Sequence, residues 1–383
     1  MKGICPLIVV VVAVIGNCHA FARLSPESFS SSSVSSSMYQ QQSGLPRWRS
    51  KLQASATDDK DNLTTSEVMS LDSIRSSLIR QEETIIFALI ERAQYRHNPI
   101  CYEKGGLGKL GTPPGSRPTD EELSFLEYML TGTEALHYAV RRYTSPEEQA
   151  FFPERLPSDK VLEELEFPEV LSPIGGAADV NFNPILLRKY IDVIVPAITH
   201  SGDDEQHGST ALADIAVLQA LSRRVHYGKF VAESKYLADP GGYQRLVDAG
   251  DADGVMKLLT NEAVEAKVLR RARLKAATYG TEPLLAELPP IESKTEETSI
   301  VAAAAASAVV AAIEALGDDS KTEKKVCPKT VESVYRDIII PLTKDIEVAY
   351  LFRRCGKEPP PEYAPDRMSK DVKEINGAAN GSA

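Results

Sequence analysis

Residues that announce a particular chemistry are scarce in this chain. Its 383 residues include five cysteines and one tryptophan. The cysteines, at 5, 18, 101, 327 and 355, form no CxxC pair and no disulfide framework, which points to reduced thiols. GxSxG, HExxH, an EF-hand loop and a P-loop are all absent, and the six histidines are scattered at 19, 97, 137, 200, 207 and 226. Neither a metal site nor an activated nucleophile is evident, which leaves binding and fixed electrostatics as the available mechanism. Residues 106–111, GLGKLG, spell GxGxxG but run into Thr-Pro-Pro, where a dinucleotide fold needs a helix. The net charge of −11 gives no basic footprint, so no nucleic-acid partner is expected.

Long apolar runs are also missing. The strongest, in MKGICPLIVVVVAVIGNCHA (1–20), has the lysine, apolar stretch and small-residue end of a signal peptide and is too short to span a membrane comfortably. Residues 21–56 are rich in serine, carry Arg23, Arg47, Arg49 and Lys51, and hold one acid, Glu27, before the acidic stretch that begins at Asp58. That is transit-peptide composition. Signal then transit segment resembles the two-part plastid presequence of algae with secondary plastids; simple secretion is the competing reading. The mature chain would then run as one domain over 57–356, with no membrane partner, and end in a mobile tail over 357–383.

What the chain does have is helical periodicity. Apolar residues at 68, 71, 74, 78, 85, 89 and 93 predict a helix near 66–95, and similar patterns follow at 119–143, 158–166, 183–200, 209–237, 241–249, 252–279 and 329–355. No strand alternation competes, so the fold class is all-α in a single multi-helix domain. Residues 283–326 interrupt the rhythm with an Ala-rich run between charged, proline-containing flanks, and read as an insertion.

In a helical bundle the informative residues are charges standing where a core residue belongs, because burying an unpaired charge is costly. Arg75 follows Leu71 by four and precedes Leu78 by three. Arg224 and Lys235 share a helix face, with Gly228 as a gap between them. Asn261 and Glu265 lie one turn apart, as do Thr343 and Glu347, just after a bend expected at Pro341. Singly, each has a plainer reading: a salt bridge or snorkelling for the cations, capping or back-bonding for Asn261 and Thr343. Together they form three cations, two carboxylates and two neutral hydrogen-bonding groups, which suits a small polyanion. His226 faces away from Arg224 and reads as structural.

The segments SIRSSLIRQEETIIFALIERAQY, RRYTSPEEQAFFP, LQALSRRVHYGKFVAESKY, LTNEAVEAKVL and IIIPLTKDIEVAYLFRR resemble the all-helical chorismate mutases of fungi and plants. The resemblance covers about 66–282 and 327–355 and implies conversion of chorismate to prephenate, on the route to phenylalanine and tyrosine, by a homodimer without cofactor or metal. By position, Arg75 and Arg224 would hold the substrate carboxylates, and Lys235 and Glu347 the ether oxygen. Glu265 would take the hydroxyl, supported by Asn261 and Thr343. Arg141, Arg142, Gly208 and Ser209 match an effector site for tyrosine and tryptophan, although Glu205 and Gln206 stand where fungal enzymes carry asparagine. A catalytically silent helical effector-binding or scaffold protein of the same fold is the alternative.

Overall fold

The computed structural model describes residues 70–162, 169–280, 325–365 and 367. The expected presequence lies outside them, as does most of the insertion. The described residues form helices, turns and loops and no strand, in keeping with the all-α expectation.

The first helix, α1 (Leu71–Arg92), starts where the Ser70 side chain accepts from the Ser73 amide at 3.3 Å and Asp72 sits in the positive first turn. The next, α2 (Phe125–Ala139), begins later than the expected 119 because a reciprocal capping box between Ser124 and Glu127 fixes its start. There follow α3 (Asn183–Lys189), α4 (Val195–Ile198), α5 (His207–His226), α6 (Gly228–Ala238), α7 (Pro240–Ala249), α8 (Ala252–Leu259), α9 (Glu262–Tyr279), α10 (Pro328–Val334) and α11 (Ile340–Arg354). Residues 158–162 form no helix, and 163–168 lie outside the described residues.

Two expected single helices are broken. The pattern over 209–237 is interrupted at Tyr227, whose carbonyl takes the Phe230 amide at 3.1 Å, a tight turn between α5 and α6. That over 252–279 stops at Thr260 and Asn261, both extended (ψ 134° and 92°), and restarts with Asn261 as the cap of α9. Two others slip rather than break: π-turns at Tyr190–Ile194 and Tyr335–Ile339 join α3 to α4 and α10 to α11. The local sequences are alike, YIDVIVP and YRDIIIP. Proline has no amide hydrogen to give, and the residue before it, Val195 or Ile340, donates five residues back to the tyrosine carbonyl.

Two apolar clusters make up the core. One gathers Ile85, Leu126, Ile185, Tyr190, Leu218, Tyr335 and Ile346, and the other Ile74, Tyr227, Phe230, Tyr243, Val255, Val348 and Leu351. Helix α11 feeds both, with residues 346–352 all buried. Each fully buried aliphatic side chain contributes about 1.5–3 kcal/mol, so α11 is the element the rest of the bundle is packed around. It lies against α6 and α5, and α1 packs along α5. Thr343 and Glu347 of α11, both buried, stand at the seam where α11 meets α5 and α6.

The chain leaves for the insertion and returns at one place: the Lys325 amide donates to the Gly280 carbonyl at 3.2 Å, at the end of α9. Past α11, Lys357 reaches the Asp248 carbonyl at 2.9 Å, Tyr363 packs on the second cluster, and Arg367 pairs with Asp345 at 2.7 Å. The beginning of the expected tail is thus held against the bundle. No helix among the described residues is long and apolar enough to cross a membrane.

Candidate active site

The last turn of α5 brings Arg224 into the seam. Its residue is 5% exposed, its Nη1 lies 3.4 Å from Thr343 Oγ1, and its Nε has no partner. No described carboxylate forms an ion pair with it. Burial is the largest influence on this guanidinium and pulls its pKa down, against the pull of Tyr335, Glu82 and Glu347 nearby. A buried cation left short of partners is costly in the empty protein and is satisfied by an incoming anion.

Across the seam, Lys235 on α6 donates to the Leu259 carbonyl at the end of α8 and to Glu347 Oε2 at 3.4 Å. The negative end of α8 suits an ammonium. The Glu347 side chain is 7% exposed, and burial raises its pKa, outweighing Lys235, Arg224 and Lys344. A carboxyl held in this way can donate a hydrogen bond. Thr343 is spoken for in part: its hydroxyl donates to the Ile339 carbonyl at 2.6 Å and presents its oxygen to Arg224.

Gly228 has a different purpose from the ligand gap expected of it. A Cβ there would stand 2.9 Å from the Thr343 carbonyl oxygen, 3.0 Å from Thr343 Cγ2 and 3.4 Å from Glu347 Cγ. The missing side chain lets α11 lie against the start of α6 and sets where Thr343 and Glu347 stand. Gly228→Ala is therefore expected to lower kcat/KM about tenfold or more and stability by about 1–3 kcal/mol, from overpacking against backbone. Steady-state kinetics and denaturant melts check this.

The remaining expected residues fare unevenly. Glu265, in the first turn of α9, pairs with Lys344 at 2.9 Å and joins the site through that lysine. Asn261 is exposed and accepts from the Val264 amide at 3.1 Å, so it is a helix cap in this arrangement. Arg75 is half exposed and bonds Asp72 at 3.2 Å, with no hydrogen bond to the other candidates. The buried face of α1 passes through Ile74 and Ser77, one residue off the expected line.

Several residues were missed. Glu82 is 1% exposed and accepts a two-pronged bond from Arg271 (2.6 and 2.5 Å), with Lys275 at 3.5 Å. It lies four residues after Leu78 and three before Ile85, so the criterion of a charge on an apolar line would have found it. Tyr335, buried beside Arg224, has a hydroxyl without a partner and a pKa pushed up by burial. That it borders the site depends on the π-turn and has no signature in sequence.

At the expected effector site, Arg141 adopts a left-handed backbone (φ 60°) just past α2. Arg142 is engaged within the chain: Nε and Nη2 on Glu148 (3.2 and 3.0 Å), Nη1 on His137 Nδ1 (2.9 Å) and on Gln219 (3.0 Å). Burial and Arg142 both lower the His137 pKa, which keeps Nδ1 free to accept. Gly208 and Ser209 fall in the first turn of α5, whose N-cap position, Gln206, makes no side-chain capping bond, and no hydrogen bond joins them to Arg142. Glu205 sits at φ 62°, a conformation asparagine tolerates better than glutamate. His226 is structural as expected. It accepts from the Phe182 amide at 2.9 Å, donates to the Ser222 carbonyl at 2.8 Å, and is held near pKa 3 by burial.

No family model matches the chain, but individual known proteins do. Chloroplastic chorismate mutase 1 of Petunia hybrida is 39% identical over 307 residues, 79% of this chain and 82% of the relative. A crystal structure of a Candida albicans chorismate mutase in complex with L-Trp is 34% identical, covers 78% of this chain and 96% of its own, and superposes with a TM-score of 0.62. A chorismate mutase with tyrosine bound in its allosteric site is 35% identical over 78% of this chain and 98% of its own, with a TM-score of 0.57. Identity of this extent, over a helical fold that brings Arg224, Lys235, Thr343 and Glu347 together, places the chain in the all-helical chorismate mutase family of fungi and plants.

Proposed function

We propose that this protein rearranges chorismate to prephenate in the seam between α5, α6 and α11. The observation that carries the reading is the buried, underbonded Arg224 guanidinium set across from the pair of partly buried Lys235 and buried Glu347. In the reaction a C–O bond breaks as a C–C bond forms within one molecule, so no base or nucleophile is required. The protein holds a folded, diaxial conformer and meets negative charge as it builds on the ether oxygen. Arg224 binds one carboxylate of the substrate through its planar fork. Arg75, half exposed in the empty protein, swings from Asp72 to hold the other. Lys235 and protonated Glu347 donate to the ether oxygen, Glu265 accepts from the ring hydroxyl, and Asn261 and Thr343 support the substrate.

The same reading extends to regulation and placement. Relatives with L-Trp or tyrosine bound favour aromatic amino acids as effectors here, at a site formed by Arg141, Arg142, Gly208 and Ser209 in a homodimer. Because Arg142 is bonded to Glu148, His137 and Gln219, an effector must displace or share those bonds. The chloroplastic relative and the composition of residues 1–56 favour a plastid enzyme. The test is chorismate consumption by residues 57–383, with product identification, with and without tyrosine and tryptophan. Prephenate formation with tyrosine inhibiting and tryptophan activating is expected. A folded protein that leaves chorismate untouched overturns the catalytic reading, and a flat effector response overturns the regulatory one.

A further inference from the structure

Lys344 follows Thr343 on α11 and stands three residues before Glu347. Its Nζ lies 2.9 Å from Glu265 Oε1, an ion pair that joins α11 to the first turn of α9. Both side chains are only partly exposed, 23% for Lys344 and 29% for Glu265. The first turn of α9 has little else to hold it. Glu262, Ala263 and Val264 are exposed, and Asn261 is occupied with capping.

Glutamate has three rotatable bonds, and one on a mostly exposed helix start spreads over several rotamers. A carboxylate that must meet one hydroxyl in one geometry loses rate when it is spread. The ion pair takes Oε1 and narrows the rotamers open to Glu265, and Oε2 forms no hydrogen bond with a described residue. We propose that Lys344 is a positioning residue for the rearrangement: it holds Glu265 by one oxygen so that the other is presented to the ring hydroxyl of chorismate. This rests on the reading of Glu265 as the hydroxyl's acceptor. Lys344 itself acts through Glu265 and needs no contact with the substrate.

Coupling distinguishes this role from a plain cross-link between helices. Lys344→Met, Glu265→Gln and the double variant are compared with the parent in the full mature enzyme, with chorismate and with chorismate O-methylated at its ring hydroxyl. Lys344→Met is expected to lower kcat/KM for chorismate about tenfold, the scale of one charge-assisted hydrogen bond. It should have no further effect in the Glu265→Gln background or on the methylated substrate. Lys344→Arg, which keeps the ion pair, should restore most of the rate. An equal loss in both backgrounds, or on both substrates, makes Lys344 a structural tie and overturns the proposal, as does no loss at all. If Glu265→Gln by itself leaves turnover unchanged while the protein stays folded, the underlying role of Glu265 fails instead. Should Lys344→Met not fold, Lys344→Gln carries the same comparison.

Discussion

Arg224→Met is expected to cost about three orders of magnitude in kcat/KM while leaving the empty protein as stable as the parent or more so. The substitution keeps the stem and removes the cation. The guanidinium is buried, its Nε is unbonded, and it makes a 3.4 Å hydrogen bond to Thr343. Burial of such a charge is a net cost to folding, of which replacement by an apolar chain of similar volume relieves a part, about 1–4 kcal/mol in comparable cases. In the role proposed for it, the same buried charge meets a substrate carboxylate. Losing a bidentate bond there costs about 3–5 kcal/mol, hence the thousandfold. Kinetics and urea melts on one preparation test both halves. A fall in stability that matches the fall in activity would make Arg224 a structural residue.

How much of this was visible beforehand depends on what each feature rests on. Helix positions follow from apolar spacing and caps, which are local: α1 falls inside the expected 66–95, α5 and α6 together span 207–238 against the expected 209–237, and α10 to α11 with their π-turn span 328–354 against 329–355. The breaks at Tyr227 and at Thr260–Asn261 preserve the apolar pattern on both sides, so periodicity runs through them unmarked. Only the capping bond from the Val264 amide to Asn261 gives the second away. Candidate site residues that the fold brings together, Arg224, Lys235 and Glu347, were legible as charges on an apolar helix face. Arg75 stands off the buried face of α1 because that face is set by α5, which packs on it, and not by the leucines flanking Arg75. Gly228 shows the limit most sharply. A glycine on a helix face reads equally as room for a ligand or room for a helix, and only the distance to Thr343 decides.

Activity should also fall as pH rises through the ionisation of Glu347, and Glu347→Gln should abolish that dependence. Burial is the first cause of its raised pKa, and Lys235, Arg224 and Lys344 only partly offset it. In its proposed role the protonated form donates to the ether oxygen, so kcat/KM is at full value below the folded pKa and declines above it. The glutamine variant donates at every pH, so its profile should be flat across that range. Stability carries the same sign. An unfolded glutamate titrates near about 4.3, and between that value and the higher folded one the unfolded chain releases a proton that the folded chain retains. The contribution of Glu347 to folding is thus fully present below about 4.3 and is lost as pH rises through the folded pKa, by about 1.4 kcal/mol per pH unit of that window. Denaturant melts of the parent and Glu347→Gln at several pH values should diverge across it, the parent losing ground as pH rises. A pH–rate profile shared by both proteins would mean that Glu347 reacts ionised, and the donor to the ether oxygen would then be Lys235 alone.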